Sequence, residues 1–176
     1  EMSIPQNTRV FQATNGLDIL VLPNDNTNLV KVDMRYRVGA AEDPAGKAGL
    51  AHLAEHVSFQ AQLTANGGPT LASFLGDRAI FYNAYTSWDE THYTSIGLKE
   101  ELPALLAVEA RRMSADCGAI DPELIARERD VVQSELRERE GPGSRIYNLL
   151  QADVYGTEHA YSRSIGGTVG EGADIS

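Results

Sequence analysis

The sequence predicts an α+β fold, with helices packed on one face of a mostly antiparallel sheet. Three observations predict it. Residues 9 to 23, 29 to 38 and 79 to 98 have strand character. Residues 100 to 115, 121 to 140 and 144 to 155 read as helices, with a stop signal after the second. Strands and helices come in runs, with few of the strand–helix–strand alternations that build a parallel sheet. The 176 residues suffice for one domain with a real core.

Each element has its own signal. Residues 9 to 23, RVFQATNGLDILVLP, read as a hairpin, because apolar residues flank Asn15-Gly16, a dipeptide favoured in tight two-residue turns. Residues 29 to 38, LVKVDMRYRV, alternate apolar and polar as a half-buried strand does. GAAEDPAGKAG is a loop of small residues, Gly and Pro. In the helix that follows, Leu50, Leu53 and Val57 share a side and can hold it on the sheet. TANGGPT reads as another loop, with a short helix around 70 to 76. Residues 79 to 98 form strands turning near Trp88-Asp89. Residues 100 to 115 are helical. DPELIARERDVVQSELRERE is the clearest helix, capped by Asp121, with Pro122 in its first turn and Gly141-Pro142-Gly143 to stop it. A last helix covers 144 to 155.

Composition excludes several classes. The formal net charge is −10, which disfavours nucleic acid or an anionic membrane as the main partner. No apolar run reaches the roughly 18 residues of a membrane span. Cys117 is the single cysteine, so no intrachain disulfide forms. No signal peptide is visible. The chain begins at Glu1 and ends in GGTVGEGADIS without a closing element, which suggests a piece of a longer protein. The compartment stays open: periplasmic or secreted if a signal peptide was removed.

Two placements need a chemical reason. On a wheel of the 121 to 140 helix, Leu124, Ile125, Val131, Val132 and Leu136 form an apolar arc, and Glu128 and Glu135 fall inside it. A buried carboxylate without a partner costs several kcal/mol or turns neutral. An ion pair with Arg111, Arg112 or Arg129 is one account, and a metal ion or catalytic network is another. The second placement is GLAHLAEHVSF. His52 and His56, four residues apart, project from one side of a helix, with Glu55 bordering them. Two neutral imidazoles one turn apart can hold one metal ion, and a carboxylate from another helix suits as the third ligand, leaving a position open.

With these residues in view, the sequence resembles the pitrilysin/insulinase family of zinc metallopeptidases, whose inverted H-x-x-E-H motif matches GLAHLAEHVSF. NAYTSWDETHYT, RERDVVQSEL and, more weakly, YGTEHAYSRSIGG extend the resemblance over most of the chain. It implies Zn2+ as cofactor, with His52, His56 and Glu135 as ligands and Glu55 as general base. It implies a supporting role for Glu128, and Asn83 with the Ala84 backbone as contacts to a peptide that adds as a strand. The implied fold is a processing-peptidase-like half-domain, with residues 1 to 176 as the N-terminal catalytic part, truncated at its C-terminal end. The implied reaction is hydrolysis of oligopeptides or unfolded segments by a metal-activated water. A second homologous half is the implied partner, without which the piece binds zinc but cleaves poorly. Two departures stand out. His56 and Glu135 are 79 residues apart, longer than the family habit, and QAQLTANGGPT is the expected site of the excess. His159-Ala160 stands where the family often has His-Pro. The resemblance also admits a non-catalytic subunit of the same fold, but such relatives typically lack a full ligand set. His92 and His159 are expected to be packed or surface residues.

Overall fold

A computed structural model describes residues 7–64, 67–114 and 120–168. Its centre is a three-stranded antiparallel sheet of β3 (Leu29–Tyr36), β7 (Thr91–Leu98) and β6 (Ala79–Thr86), in the order β3-β7-β6. The predicted alternation holds in β3, where Val30, Val32, Met34 and Tyr36 turn inward while Leu29, Lys31, Asp33 and Arg35 face out. Helices α1 (Leu50–Gln60), α2 (Leu71–Arg78) and α3 (Leu102–Met113) pack against these strands. The α+β reading with an antiparallel sheet is therefore what the chain adopts. Among the described residues, no helix is long and apolar enough to cross a membrane.

The interior has two parts. Leu71, Leu75, Leu105 and Val108 are buried between α2, α3 and the sheet, with Val30, Val32, Phe59 and Tyr82 around them. Leu53, Val57 and Val132 form a second cluster between α1 and α4 (Pro122–Arg139), joined by Leu50, Ile125 and Leu136. This corrects one expectation. The Leu50, Leu53 and Val57 side of α1 rests on α4, not on the sheet. What α1 turns to the sheet is Glu55, Ser58 and Phe59, which meet Thr86, Tyr93 and Tyr82 respectively.

Other elements depart in detail. The first hairpin pairs β1 (Arg9–Gln12) with β2 (Asp18–Val21), but Gln12 opposes Asp18, so the connection is five residues long. Within it the Ala13 N–H donates to Leu17 O at 2.8 Å, and Gly16 takes φ 86°. TANGGPT is not a plain loop: β4 (Gln62–Thr64) and β5 (Gly67–Thr70) pair antiparallel. Asp121 caps α4 by accepting the Glu123 N–H at 3.0 Å. Gly141 ends that helix, while Pro142 opens α5 (Pro142–Tyr155) two residues earlier than predicted. Val131 is 49% exposed and leaves the apolar arc, because α4 packs chiefly on α1 and buries a narrow stripe. Cys117 and the tail from 169 lie outside the described residues.

Candidate metal centre

Helix α1 begins without a side-chain cap of its own. Gly49 precedes it at φ 94°, and the buried carboxylate of Asp43 accepts the Gly49 N–H at 2.7 Å and the Ala51 N–H at 2.8 Å. An acid at a helix N-terminus satisfies two otherwise orphan donors and complements the helix dipole. The next turn brings His52, Glu55 and His56 to the wall of a cavity of about 900 Å3, which Glu135 of α4 also lines.

Here the two helices converge. The Glu135 Oε2 atom lies 3.6 Å from His52 Nε2 and 3.4 Å from His56 Nε2. One ligand atom from each of the three residues falls within 4.8 Å of the others. These separations are too long for ordinary hydrogen bonds. Around a tetrahedral ion with bonds of ~2.0–2.1 Å, neighbouring ligand atoms stand about 3.3–3.4 Å apart, so the two separations from Glu135 Oε2 fit a shared divalent cation better than direct pairing. Glu135 Oε2 is moreover buried with no hydrogen-bond partner. A buried, unpartnered carboxylate oxygen facing two imidazoles is the observation a cation explains.

Electrostatics suit the same task. Burial, followed by the neighbouring His56, pushes the His52 imidazole down to about 4, so it is neutral at physiological pH, as a metal ligand must be. Burial pushes the Glu55 carboxyl up, against the Thr86 hydroxyl that donates to its Oε2 at 2.6 Å. A raised carboxyl pKa moves the group toward proton exchange near neutral pH. Glu128, buried in the α4 stripe, presents Oε2 3.6 Å from His56 Nδ1. The opposite nitrogen of that ring faces Glu135, so the two carboxylates bracket the imidazole.

Of the arginine partners considered for these glutamates, none pairs with Glu128 or Glu135 among the described residues, and two are engaged elsewhere. Arg112 binds Glu109 at 3.1 Å, and Arg111 donates to Gln62 O at 2.9 Å. The cation that meets Glu135 is Arg139, one turn along α4, through Oε1. Sequence reading missed it, although the i,i+4 spacing was available. It also missed Asp43 and Thr86, whose contacts cross loops and strands. Asn83 and Ala84 lie on β6, whose outer edge has no strand partner among the described residues, and both line the cavity. His92 is buried outside the centre, with Nε2 3.1 Å from Asp33 Oδ1. His159 stacks on Tyr155 and accepts the Tyr161 N–H.

An antiparallel sheet backed by a helix that carries H-x-x-E-H, met by a glutamate from a second helix, defines a class of metal-site protein. Comparison with known families is specific: residues 19–168 match the model of Insulinase (Peptidase family M16), and the chain belongs to that family. An uncharacterized zinc protease of Rickettsia bellii is 28% identical over 151 residues, covering 85% of this chain and 36% of that protein. The zinc protease PqqE of Helicobacter pylori is 31% identical over 128 residues, covering 71% of this chain and 28% of its own length. The crystal structure of a protease from Helicobacter pylori superposes with a TM-score of 0.84 at 24% identity, over 96% of this chain and 40% of that one. This chain thus spans about a third of the length of these two curated relatives.

Proposed function

We propose that the chain is the zinc-holding part of an endopeptidase that hydrolyses oligopeptides or unfolded segments. The observation that carries this is the convergence of His52, His56 and Glu135 beside a buried Glu55, in a cavity bordered by an open strand edge. His52 Nε2, His56 Nε2 and Glu135 Oε2 would hold the ion, and Glu128 would orient His56 through Nδ1. A zinc ion bound there supplies Lewis acidity and brings the pKa of a water to roughly 7.

The chain's own residues do the rest. The Thr86 hydroxyl fixes one oxygen of Glu55 and leaves Oε1 for proton exchange. Glu55 takes the proton of the attacking water and delivers it to the leaving amine nitrogen. A peptide lying along β6 would pair with its open edge near Asn83 and Ala84, a grip that depends little on side chains. Transition-state contacts from a second homologous half would complete the site, so the chain alone turns over slowly. Domain assignment follows: residues 1–176 form the N-terminal catalytic part. A non-catalytic subunit of this fold is disfavoured by the presence of all three ligand residues and the base.

The test is hydrolysis of unfolded peptides by the full-length protein, with and without a chelator. Glu55→Gln is expected to lower kcat/KM by roughly 10²–10⁴-fold while zinc content stays at the wild-type level. Chelator-resistant cleavage, or full activity in that variant, contradicts the proposal.

A further inference from the structure

The segment Arg163–Thr168, within the stretch YGTEHAYSRSIGG, crosses the start of α1 and lines the same cavity as the two histidines. It is tied down from three sides. The Arg163 guanidinium donates to Asp43 O at 2.7 Å and to Ala41 O at 3.1 Å. The Trp88 indole N–H donates to Arg163 O at 3.2 Å. The Gln133 amide of α4 donates to Thr168 O at 3.2 Å. Asp43 is the residue that caps α1, so the strap and the histidine helix share one anchor.

At its middle the strap packs so closely on the start of α1 that side chains at Gly49 and Gly167 are excluded, and one at Gly166 would displace the end of Leu136 beside the metal centre. A Cβ on Gly166 would stand 2.6 Å from Leu136 Cδ2 and 3.4 Å from His52 Nδ1. A Cβ on Gly49 would stand 2.5 Å from Gly166 O, and one on Gly167 would stand 2.5 Å from Ala48 O. Gly166 therefore lies beside His52 and against Leu136, the residue next to Glu135, with less than a methyl group's room toward Leu136. His52 Nδ1 is buried without a hydrogen-bond partner, so no hydrogen bond among the described residues holds that side of the ring. Packing must hold it, and the strap is the packing on that side.

We infer that the Arg163–Thr168 strap is a positioning element of the metal centre, with Gly166 as the residue that lets it seat His52 and Glu135 at the spacing a small cation needs. The inference rests on the reading that this centre takes zinc. Backing groups around metal ligands commonly change affinity by roughly 10- to 100-fold when altered.

The experiment measures zinc affinity by chelator competition and the cobalt(II) d–d spectrum of the purified protein. It compares wild type with Gly166→Ala, Arg163→Ala and a control, Gly76→Ala, where a Cβ on α2 meets nothing within 4 Å. Gly166→Ala is expected to weaken zinc roughly 10- to 100-fold and to change the intensity of the tetrahedral cobalt bands. Arg163→Ala, which inserts no atom, is expected to weaken zinc in the same direction, and the control to match wild type. Wild-type affinity and spectrum in a folded Gly166→Ala overturn the inference. Should that variant not fold, Arg163→Ala decides alone, and wild-type behaviour there overturns it equally. If wild type itself takes up neither metal, the zinc reading falls and the strap's role falls with it.

Discussion

His52 is a histidine kept neutral by its surroundings, and that has a consequence for stability. In the metal-free protein burial pushes its pKa down to about 4, while the unfolded chain titrates near 6.5. Between those values the unfolded state binds a proton that the folded state does not. Stability from this group is therefore complete above about 6.5 and is lost as pH falls toward 4. Glu55 acts oppositely, since its raised carboxyl keeps a proton in the folded state at pH values just above 4.5. Urea unfolding of the chelated protein should show wild type gaining stability over His52→Gln as pH rises from 4 to 6.5, then a constant difference. Parallel curves across that range would contradict the burial account of His52.

The residues of the candidate site were legible because helical geometry is local. The i,i+4 spacing of His52 and His56, and the fall of Glu128 and Glu135 within an apolar arc, follow from 100° per residue alone. Asp43, Thr86 and Arg163 were not legible. Each contacts the centre's frame across a loop or a strand, and Arg163 reaches Asp43 over 120 residues of chain. No periodic pattern encodes such a pairing.

At the scale of elements, α1 holds its place through unlike faces. One face packs on α4 through Leu53, Val57 and Val132. The other meets a buried polar network: Arg112 lies 3.8 Å from the Tyr93 ring centre, binds Glu109, and donates to Ser58 Oγ at 2.6 Å. Periodicity reveals that α1 has an apolar face but not which neighbour receives it, so α4 rather than the sheet had to be found in three dimensions. Two predictions belong here. Arg112→Met strands the Glu109 carboxylate in the interior and should cost about 3–5 kcal/mol in urea unfolding, with most of it recovered by adding Glu109→Leu. On α4, Val132→Ala should cost about 2 kcal/mol, because Val132 is 1% exposed. Val131→Ala, at a position 49% exposed, should cost under about 0.5 kcal/mol. Equal costs at the two valines would contradict the observed rotation of α4.

At the scale of the molecule, the metal centre sits on the α1–α4 pair, which has its own core cluster beside that of the sheet. A bound ion would cross-link these helices, so occupancy should add to global stability by mass action. At free zinc one thousand times Kd the gain is about 4.1 kcal/mol. Thermal unfolding in zinc should therefore lie well above unfolding in chelator for wild type. Glu135→Ala should abolish that difference while retaining a cooperative transition in chelator.

Metal analysis of the purified protein, run beside His52→Gln and Glu135→Ala, tests the central claim most directly. One zinc per chain in wild type and well under one in both folded variants is the predicted result. A metal-free wild type after exposure to zinc, or variants that retain a full equivalent, would contradict it.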